Sequence, residues 1–304
     1  MVRCVTPWSC SREPASQLYA ALHRHARDSG RAVSETVVLY AMEAFLSRLA
    51  QTIYKDDFVL KGGVLLAAYR LRRPTSDIDM EAVNFQVDAA HLLTVVEAVA
   101  AVSVDDALAI DPARTDVRPI REGDGYSGLR VKIFAHVYTR ALSFHLDISA
   151  GDPIWPDPRA VTGPCILRGE FEMLGYPQVS VVAEKAVTML TRGTTSTRWR
   201  DIVDLRNFSL SQDFSAGEIR GAAQRVADFR QVPLTSISVA TAGWPAIAQP
   251  KWAAWRRTLS LPDICLESFD DQLSDVIQFV DPVFTGAVGA DEVWDSSTQR
   301  WHKH

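Results

Sequence analysis

Two aspartates, Asp77 and Asp79, stand two residues apart in the stretch Ser76-Asp77-Ile78-Asp79-Met80. Side chains alternate faces along a strand, so a strand here presents both carboxylates on one side. Like charges on one face repel, and burying them unpaired is costly or drives one carboxyl to hold its proton. A divalent cation removes that conflict. Mg²⁺ or Mn²⁺ takes carboxylate oxygens and fills its remaining positions with substrate phosphates, so the pair points to metal-assisted phosphoryl or nucleotidyl chemistry. Taken alone, a solvated turn or a capped strand end would also accommodate it.

The context narrows the choice. Gly62-Gly63 lies between a short apolar run and an Ala/Leu-rich segment. Glycines let backbone N–H groups approach a phosphate closely, although a tight strand-to-helix turn has the same requirement. Lys61 precedes the pair, and Arg70, Arg72 and Arg73 crowd the chain just before the aspartates. These cations are candidates to neutralise phosphates, Lys61 and Arg73 among them. Thr75 and Ser76 adjoin the carboxylates, where an added phosphate would bring roughly two negative charges. A third carboxylate, Asp147, lies between Leu146 and Ile148 on a strand-like run. Should that strand lie beside the Asp77–Asp79 strand, three carboxylates converge and suffice for two metal ions.

Further along, Lys185 sits among Val181, Val182, Val187, Met189 and Leu190 on a helical pattern. Its stem can run along apolar surface and place the ammonium in a cleft, where a point charge suits a triphosphate. Asp201 and Asp204 are three apart and share a helix face. Asp201 fits a dipole-favoured first turn, which leaves Asp204 to face a site or to hold Lys185 or a metal-bound water in place; the spacing alone does not choose between them.

The elements that must position these groups read as follows. Residues 13–52 are helical, with Ser34 a candidate N-cap and Val37, Val38, Phe45, Leu46 and Leu49 on an apolar face. Phe58–Leu60 is a short strand, Val64–Leu71 a helix ended before Pro74, and Asp77–Val83 extended. His91–Ala101 is helical, and Gly123 and Gly125 mark a loop. Leu129–Tyr138 and Leu142–Ser149 form an antiparallel hairpin, followed by a Pro-rich loop over Asp152–Pro164. Val179–Leu190, capped by Ser180, and Trp199–Phe208 are helices, as are Ala216–Phe229, Trp252–Leu259 and Phe269–Val280. The fold class expected is α+β, with a mixed sheet and flanking helices in residues 1–208 and a helical domain in 209–304.

Composition sets outer bounds. The 304 residues are 47% hydrophobic and 23% charged, enough for one large or two ordinary domains. The net charge of −5 means that contact with a nucleic acid needs a local basic patch rather than a global field. Cys4, Cys10, Cys165 and Cys265 are scattered, without metal-ligand spacing, and read as reduced thiols. No apolar run is long enough for a membrane span and no signal layout opens the chain, so the expected location is cytoplasmic.

The series Leu60-Lys61-Gly62-Gly63, Ser76-Asp77-Ile78-Asp79-Met80, the Asp147 strand, "VAEKAVTML" and "RWRDIVDLRNF" resembles the AbiEii/MenT family of nucleotidyltransferase toxins, within the DNA polymerase β-like superfamily. The likeness spans Leu60 to Leu205, about half the chain. It implies a polymerase β-like core and a metal-dependent enzyme that transfers nucleotides, typically pyrimidine, from an NTP to the 3′ end of tRNA. It also implies a block of translation and a cognate antitoxin. By this pattern Asp77 and Asp79 bind metal, Lys185 binds the triphosphate, and Asp201 or Asp204 is the late aspartate; Asp147 is the third candidate metal ligand from its place on a strand-like run. Lys61, Gly62, Gly63, Arg73 and Ser76 fall on the nucleotide side, and Ser76 or Thr75 is a place for silencing phosphorylation. Val64 departs from the pattern, since many members carry Thr or Ser there. A protein hydroxyl or a small molecule as acceptor, or an inactive nucleotide-binding member, are the alternatives.

Overall fold

The N-terminal helical pattern resolves into α1 (Ala15–Asp28) and α2 (Val33–Leu49). Leu18, Leu22 and Ala26 bury one stripe of α1, whereas α2 is buried almost all round. The computed structural model describes residues 15–120, 128–167, 169–259 and 264–303; Cys4, Cys10 and the loop marked by Gly123 and Gly125 lie outside them. Ser34 is not the cap of α2. Ala32 takes the N-cap position without a side-chain bond, and Ser34 lies inside the first turn.

The chain divides into two compact units, Met1–Gly151 with Arg159–Gly175, and Asp152–Pro158 with Tyr176–His304. In the first unit β1 (Phe58–Lys61), α3 (Gly62–Leu65), β2 (Asp77–Ala82), α4 (Ala89–Ala101), β3 (Leu108–Pro119), β4 (Gly128–Val137), β5 (Arg140–Ser149), β6 (Arg159–Pro164) and β7 (Glu170–Gly175) follow α1 and α2. They build a seven-stranded mixed sheet in the order β3-β4-β5-β2-β1-β7-β6. The β2–β5 and β1–β7 pairs are parallel and the others antiparallel.

Alternation along the central strands separates the two faces of this sheet. Leu60, Ile78, Met80, Val131, Ile133, Phe144, Leu146 and Ile148 are buried on one side, where Phe144 meets Phe45 of α2 edge to face at 5.8 Å. The opposite parity carries Lys61, Asp77, Asp79, Glu81, Arg130, Lys132, His145 and Asp147. A one-residue slip would exchange the two sets, so the apolar face dictates the register that aligns the carboxylates.

Arg48 of α2 pins this layer to the start of β3. It donates to both oxygens of Asp106 (2.9 and 2.5 Å) and to the carbonyl of Leu108 (2.7 Å), with both charges buried.

Several expectations change here. The helix after the glycines begins at Gly62, not Val64, and α3 gives way after Leu65 to successive i→i−3 turns. These end at Arg70, whose φ of 63° lies in the left-handed region. The Asp152–Pro164 stretch is loop only as far as Pro158, because β6 pairs with β7.

The second unit contains α5 (Gln178–Arg192), α6 (Trp199–Ser211), β8 (Phe214–Ser215), α7 (Ala216–Phe229), α8 (Ile237–Ala240), α9 (Trp244–Leu259), α10 (Phe269–Thr285), β9 (Glu292–Asp295) and β10 (Arg300–Lys303). Its core stacks Trp199 on Trp244 at 5.6 Å and sets Phe269 edge-on to Trp199 at 5.3 Å, with Trp252 beneath. This region is not wholly helical, since β8, β9 and β10 form a small antiparallel sheet. The division falls at Gly175/Tyr176, earlier than the expected break near Phe208. The reason is packing: α5 lies against α7 and α6 against α10. Ser180 is inside α5 rather than at its cap, and its hydroxyl donates to the Trp155 carbonyl at 2.8 Å. Helix α9 starts at Trp244, eight residues before the expected start at Trp252, and carries Pro250 inside it.

Candidate active site

Strand β2 sits between β1 and β5, so Asp79 has Lys61 opposite on one side and Asp147 on the other. Asp77 lies opposite His145, and Glu81 opposite Ser149. Beyond β5, Arg130 faces Asp147 and Lys132 faces His145. The predicted convergence of Asp77, Asp79 and Asp147 on one face is therefore real, and cross-strand pairing produces it.

The glycine pair accounts for how closely these groups pack. Gly62 has a φ of +64°, and a Cβ built on it would lie 1.9 Å from Asp79 Oδ2. The Asp79 carboxylate thus occupies the space a side chain at 62 would fill. A Cβ on Gly63 would lie 2.6 Å from Thr75 Oγ1. The Thr75 hydroxyl donates to Asp77 Oδ1 at 2.9 Å and so steadies the first carboxylate. Gly62 is required by the close approach of the acidic strand and Gly63 by that of Thr75 just before it, over and above any approach of backbone to phosphate.

Asp79 is raised from its ordinary value of 3.8 to about 7. Burial is the first cause, followed by the negative charges of Asp77 and Asp147; Lys61 and Arg73 oppose the shift. Lys61 is engaged with Glu81 at 2.9 Å, and Ser149 donates to the same Glu81 oxygen at 2.6 Å. Arg73 is buried beside Gly63 and donates to the Pro74 carbonyl at 3.2 Å. Ser76 is exposed. Arg72 does not join the site: it pairs with Glu43 and the Pro164 carbonyl, while Ile166 N–H donates to the other Glu43 oxygen at 2.7 Å.

Asp147 is already engaged on the side away from Asp79. Arg130 holds it through two bonds, Nε to Oδ1 at 2.7 Å and Nη2 to Oδ2 at 2.6 Å. Among the described residues no group of three or more His, Cys, Asp or Glu stands arranged to hold a metal ion. The Arg130 guanidinium occupies both Asp147 oxygens, while Asp77 and Asp79 carry no such clamp in the bonds described. The donor set itself fits Mg²⁺ or Mn²⁺: it is anionic, all oxygen, and includes a carboxyl that its neighbours make a poor acid.

In the second unit Lys185 Nζ lies 2.5 Å from Asp201 Oδ1 and 2.9 Å from Asp204 Oδ2. Both aspartates pair with Lys185, Asp204 the deeper at 1% side-chain exposure against 15%. Arg198 stands 3.9 Å from the other Asp201 oxygen.

Glu81, Ser149 and Arg130 were not anticipated. For Glu81 the signal was present, since it continues the Asp77, Asp79 alternation by one more step. Arg130 was visible only as a polar position on a hairpin strand, and its partner depends on pairing register.

The sequence profile of the family described as "Nucleotidyl transferase AbiEii toxin, Type IV TA system" matches residues 44–275. The fold is similar to a crystal structure from H. pylori assigned as a nucleotidyltransferase, at 16% identity and a TM-score of 0.47, covering 84% of this chain and 98% of that one. It is also similar to JHP933 from Helicobacter pylori, at 16% identity and a TM-score of 0.42, covering 80% and 90%. No curated protein sequence matches significantly. The class defined is a nucleotidyltransferase. The chain belongs to the AbiEii toxin family of type IV toxin–antitoxin systems, which implies a cognate antitoxin. Among the described residues no helix is long and apolar enough to cross a membrane.

Proposed function

We propose that this toxin uses an NTP, preferably a pyrimidine nucleotide, and Mg²⁺ or Mn²⁺ to add nucleotides to the 3′ acceptor end of tRNA in the cytoplasm, which blocks translation. The observation that carries the reading is the Asp79 carboxylate seated over the bare Cα of Gly62, beside Asp77 and Asp147 on one sheet face.

Bound at these carboxylates, Mg²⁺ or Mn²⁺ would supply neutralisation of triphosphate charge and a more acidic acceptor hydroxyl. The chain's own residues do the positioning. Thr75 orients Asp77, Gly62 admits Asp79, and Lys61 is kept near by Glu81. Gly62, Gly63, Arg73 and Ser76 are assigned to the nucleotide side, where Arg73 and Lys61 offset negative charge. Labelled NTPs incubated singly with the protein and total tRNA test the reading on a denaturing gel. Label in tRNA from CTP or UTP is the expected result. Label in protein, or none, would overturn it in favour of another acceptor.

Lys185 is assigned to the triphosphate, with Asp201 and Asp204 as its positioning carboxylates. Replacing Lys185 with Met removes the ammonium that Asp201 and the buried Asp204 share and is expected to destabilise the fold, read as a lower Tm. The double variant Lys185→Met, Asp204→Leu should recover Tm while transfer stays lost. Recovery of both would show the triad to be structural only.

Regulation is assigned to Ser76 or Thr75. Ser76 is the open hydroxyl, whereas Thr75 is committed to Asp77. A phosphate there would crowd about two negative charges against the aspartates. Intact-mass measurement of the toxin co-expressed with its antitoxin should show a phosphate mapping to this pair; its absence would remove the idea.

A further inference from the structure

The face that carries Asp79 continues across five strands as Lys61, Asp79, Asp147, Arg130 and Arg118, in register from β1 to β3. Asp147 stands between a carboxylate and a guanidinium, and the guanidinium has it. Both oxygens accept from Arg130, and this bond is the first cause of the raised Arg130 pKa. Arg130 is not sealed in: its side chain is 49% exposed, against 16% for Asp147. The outer side of the fork faces solvent at the rim of the carboxylate cluster.

A guanidinium fork fits a carboxylate and a phosphate equally well. A divalent cation approaching Asp147 meets a positive charge already clamped to both oxygens. A phosphate approaching Arg130 meets a carboxylate that competes for the same fork. Each ligand is therefore opposed by the Arg130–Asp147 pair, and whichever arrives first removes the obstacle to the other. Neighbouring cations are placed differently. Arg118 pairs with Asp116 at 2.6 Å, and Lys132 lies over the Phe134 ring at 4.9 Å.

We propose that Arg130 is a phosphate-binding residue held in reserve on Asp147, so that cation binding at Asp77, Asp79 and Asp147 and phosphate binding at Arg130 promote one another. The proposal rests on the metal-dependent reading of the site. Two arrangements are involved: Arg130 on Asp147 in the free protein, and Arg130 on phosphate with Asp147 released. The coupling is reciprocal, as for any linked pair of binding equilibria. The phosphate belongs to the acceptor RNA or to the incoming triphosphate, which present the same chemistry to the fork.

Calorimetric titration of Mn²⁺ into the unliganded full chain tests the first half. Arg130→Gln should bind Mn²⁺ at least about fivefold more tightly than the wild type, on the scale of ordinary coupling energies. Arg130→Lys, which keeps the charge and loses the fork, should move the same way by less, and stands in should Arg130→Gln fold poorly. Lys132→Gln removes a charge from the same face without touching Asp147 and should change affinity less than about twofold, the difference expected of a screened, unpaired surface charge. Fluorescence polarisation tests the second half, with a short labelled single-stranded RNA in one arm and a labelled non-hydrolysable NTP in the other. In the wild type Mn²⁺ should tighten the ligand that Arg130 serves, and that gain should vanish in Arg130→Gln; the arm that responds identifies the source of the phosphate. Equal Mn²⁺ affinity in wild type and Arg130→Gln, or a gain in neither arm that depends on Arg130, overturns the proposal alone. Absence of Mn²⁺ binding to every protein overturns the metal-dependent reading and the proposal together.

Discussion

Asp79→Asn is expected to abolish nucleotide transfer, by about a thousandfold or more, while leaving the protein as stable as the wild type or more so. The first effect follows from losing the central carboxylate of the proposed metal site, a loss on the scale of removing a preorganised electrostatic partner of the transition state. The second follows from the state of Asp79 in the fold. Burial, Asp77 and Asp147 together raise its carboxyl from 3.8 to about 7. In the window between those values the folded chain keeps a proton that the unfolded chain has released. Folding without bound cation is then favoured below the lower value and loses this contribution as pH rises towards 7. The amide has no charge to repel, so Asp79→Asn should flatten that decline. Thermal unfolding of both proteins in chelator at pH 5.5 and 8 reads this out. A wild type equally stable at both pH values, or an Asp79→Asn protein that retains transfer, would contradict the assignment. Added Mg²⁺ should raise the wild-type Tm more at pH 8 than at pH 5.5, because protons compete with the cation at the lower value.

Gly62→Ala is expected to lose about a hundredfold or more in activity, although alanine is the smallest possible addition. Two independent penalties meet at this position. The backbone is at a φ of +64°, where a non-glycine residue costs roughly 1–3 kcal/mol. The added Cβ would also fall 1.9 Å from Asp79 Oδ2, so the carboxylate must move, and a displacement near 1 Å at a reacting centre costs about two orders of magnitude. Gly30→Ala separates the two effects. Gly30 has a φ of +66° with nothing within 4 Å of its Cβ position, so it should show the strain in Tm without the loss of transfer. Equal activity in Gly62→Ala and Gly30→Ala would mean that Asp79 does not depend on the glycine for its place.

These effects explain which parts of the site were legible beforehand. Asp77, Asp79 and the glycines are local features. The two-residue period puts both carboxylates on one face in any register, and a glycine pair before a turn needs no partner to be noticed. Asp204 as a holder of Lys185 was legible from the spacing, whereas Asp201 as a second partner was not. Asp147 was a lone acid in an apolar strand, and only the β2–β5 pairing sets it beside Asp79. Strand β7 carried a readable alternation, Glu170-Phe171-Glu172-Met173, that was passed over. Strand β3 did not, because few of its residues are buried on either face.

The sequence by itself determined the acidic strand, the glycine turn before it and the family, because each is written in residues close together along the chain. Tertiary structure alone decided that the glycines make room for Asp79 and Thr75, that Lys61 is drawn to Glu81, and that Arg130 closes on Asp147. The reason is that each of these is a contact on or beside the paired strands, between residues apart in sequence. Its existence depends on a register set by the apolar residues on the opposite face of the sheet, and no spacing along one strand encodes which residue the next strand will bring opposite.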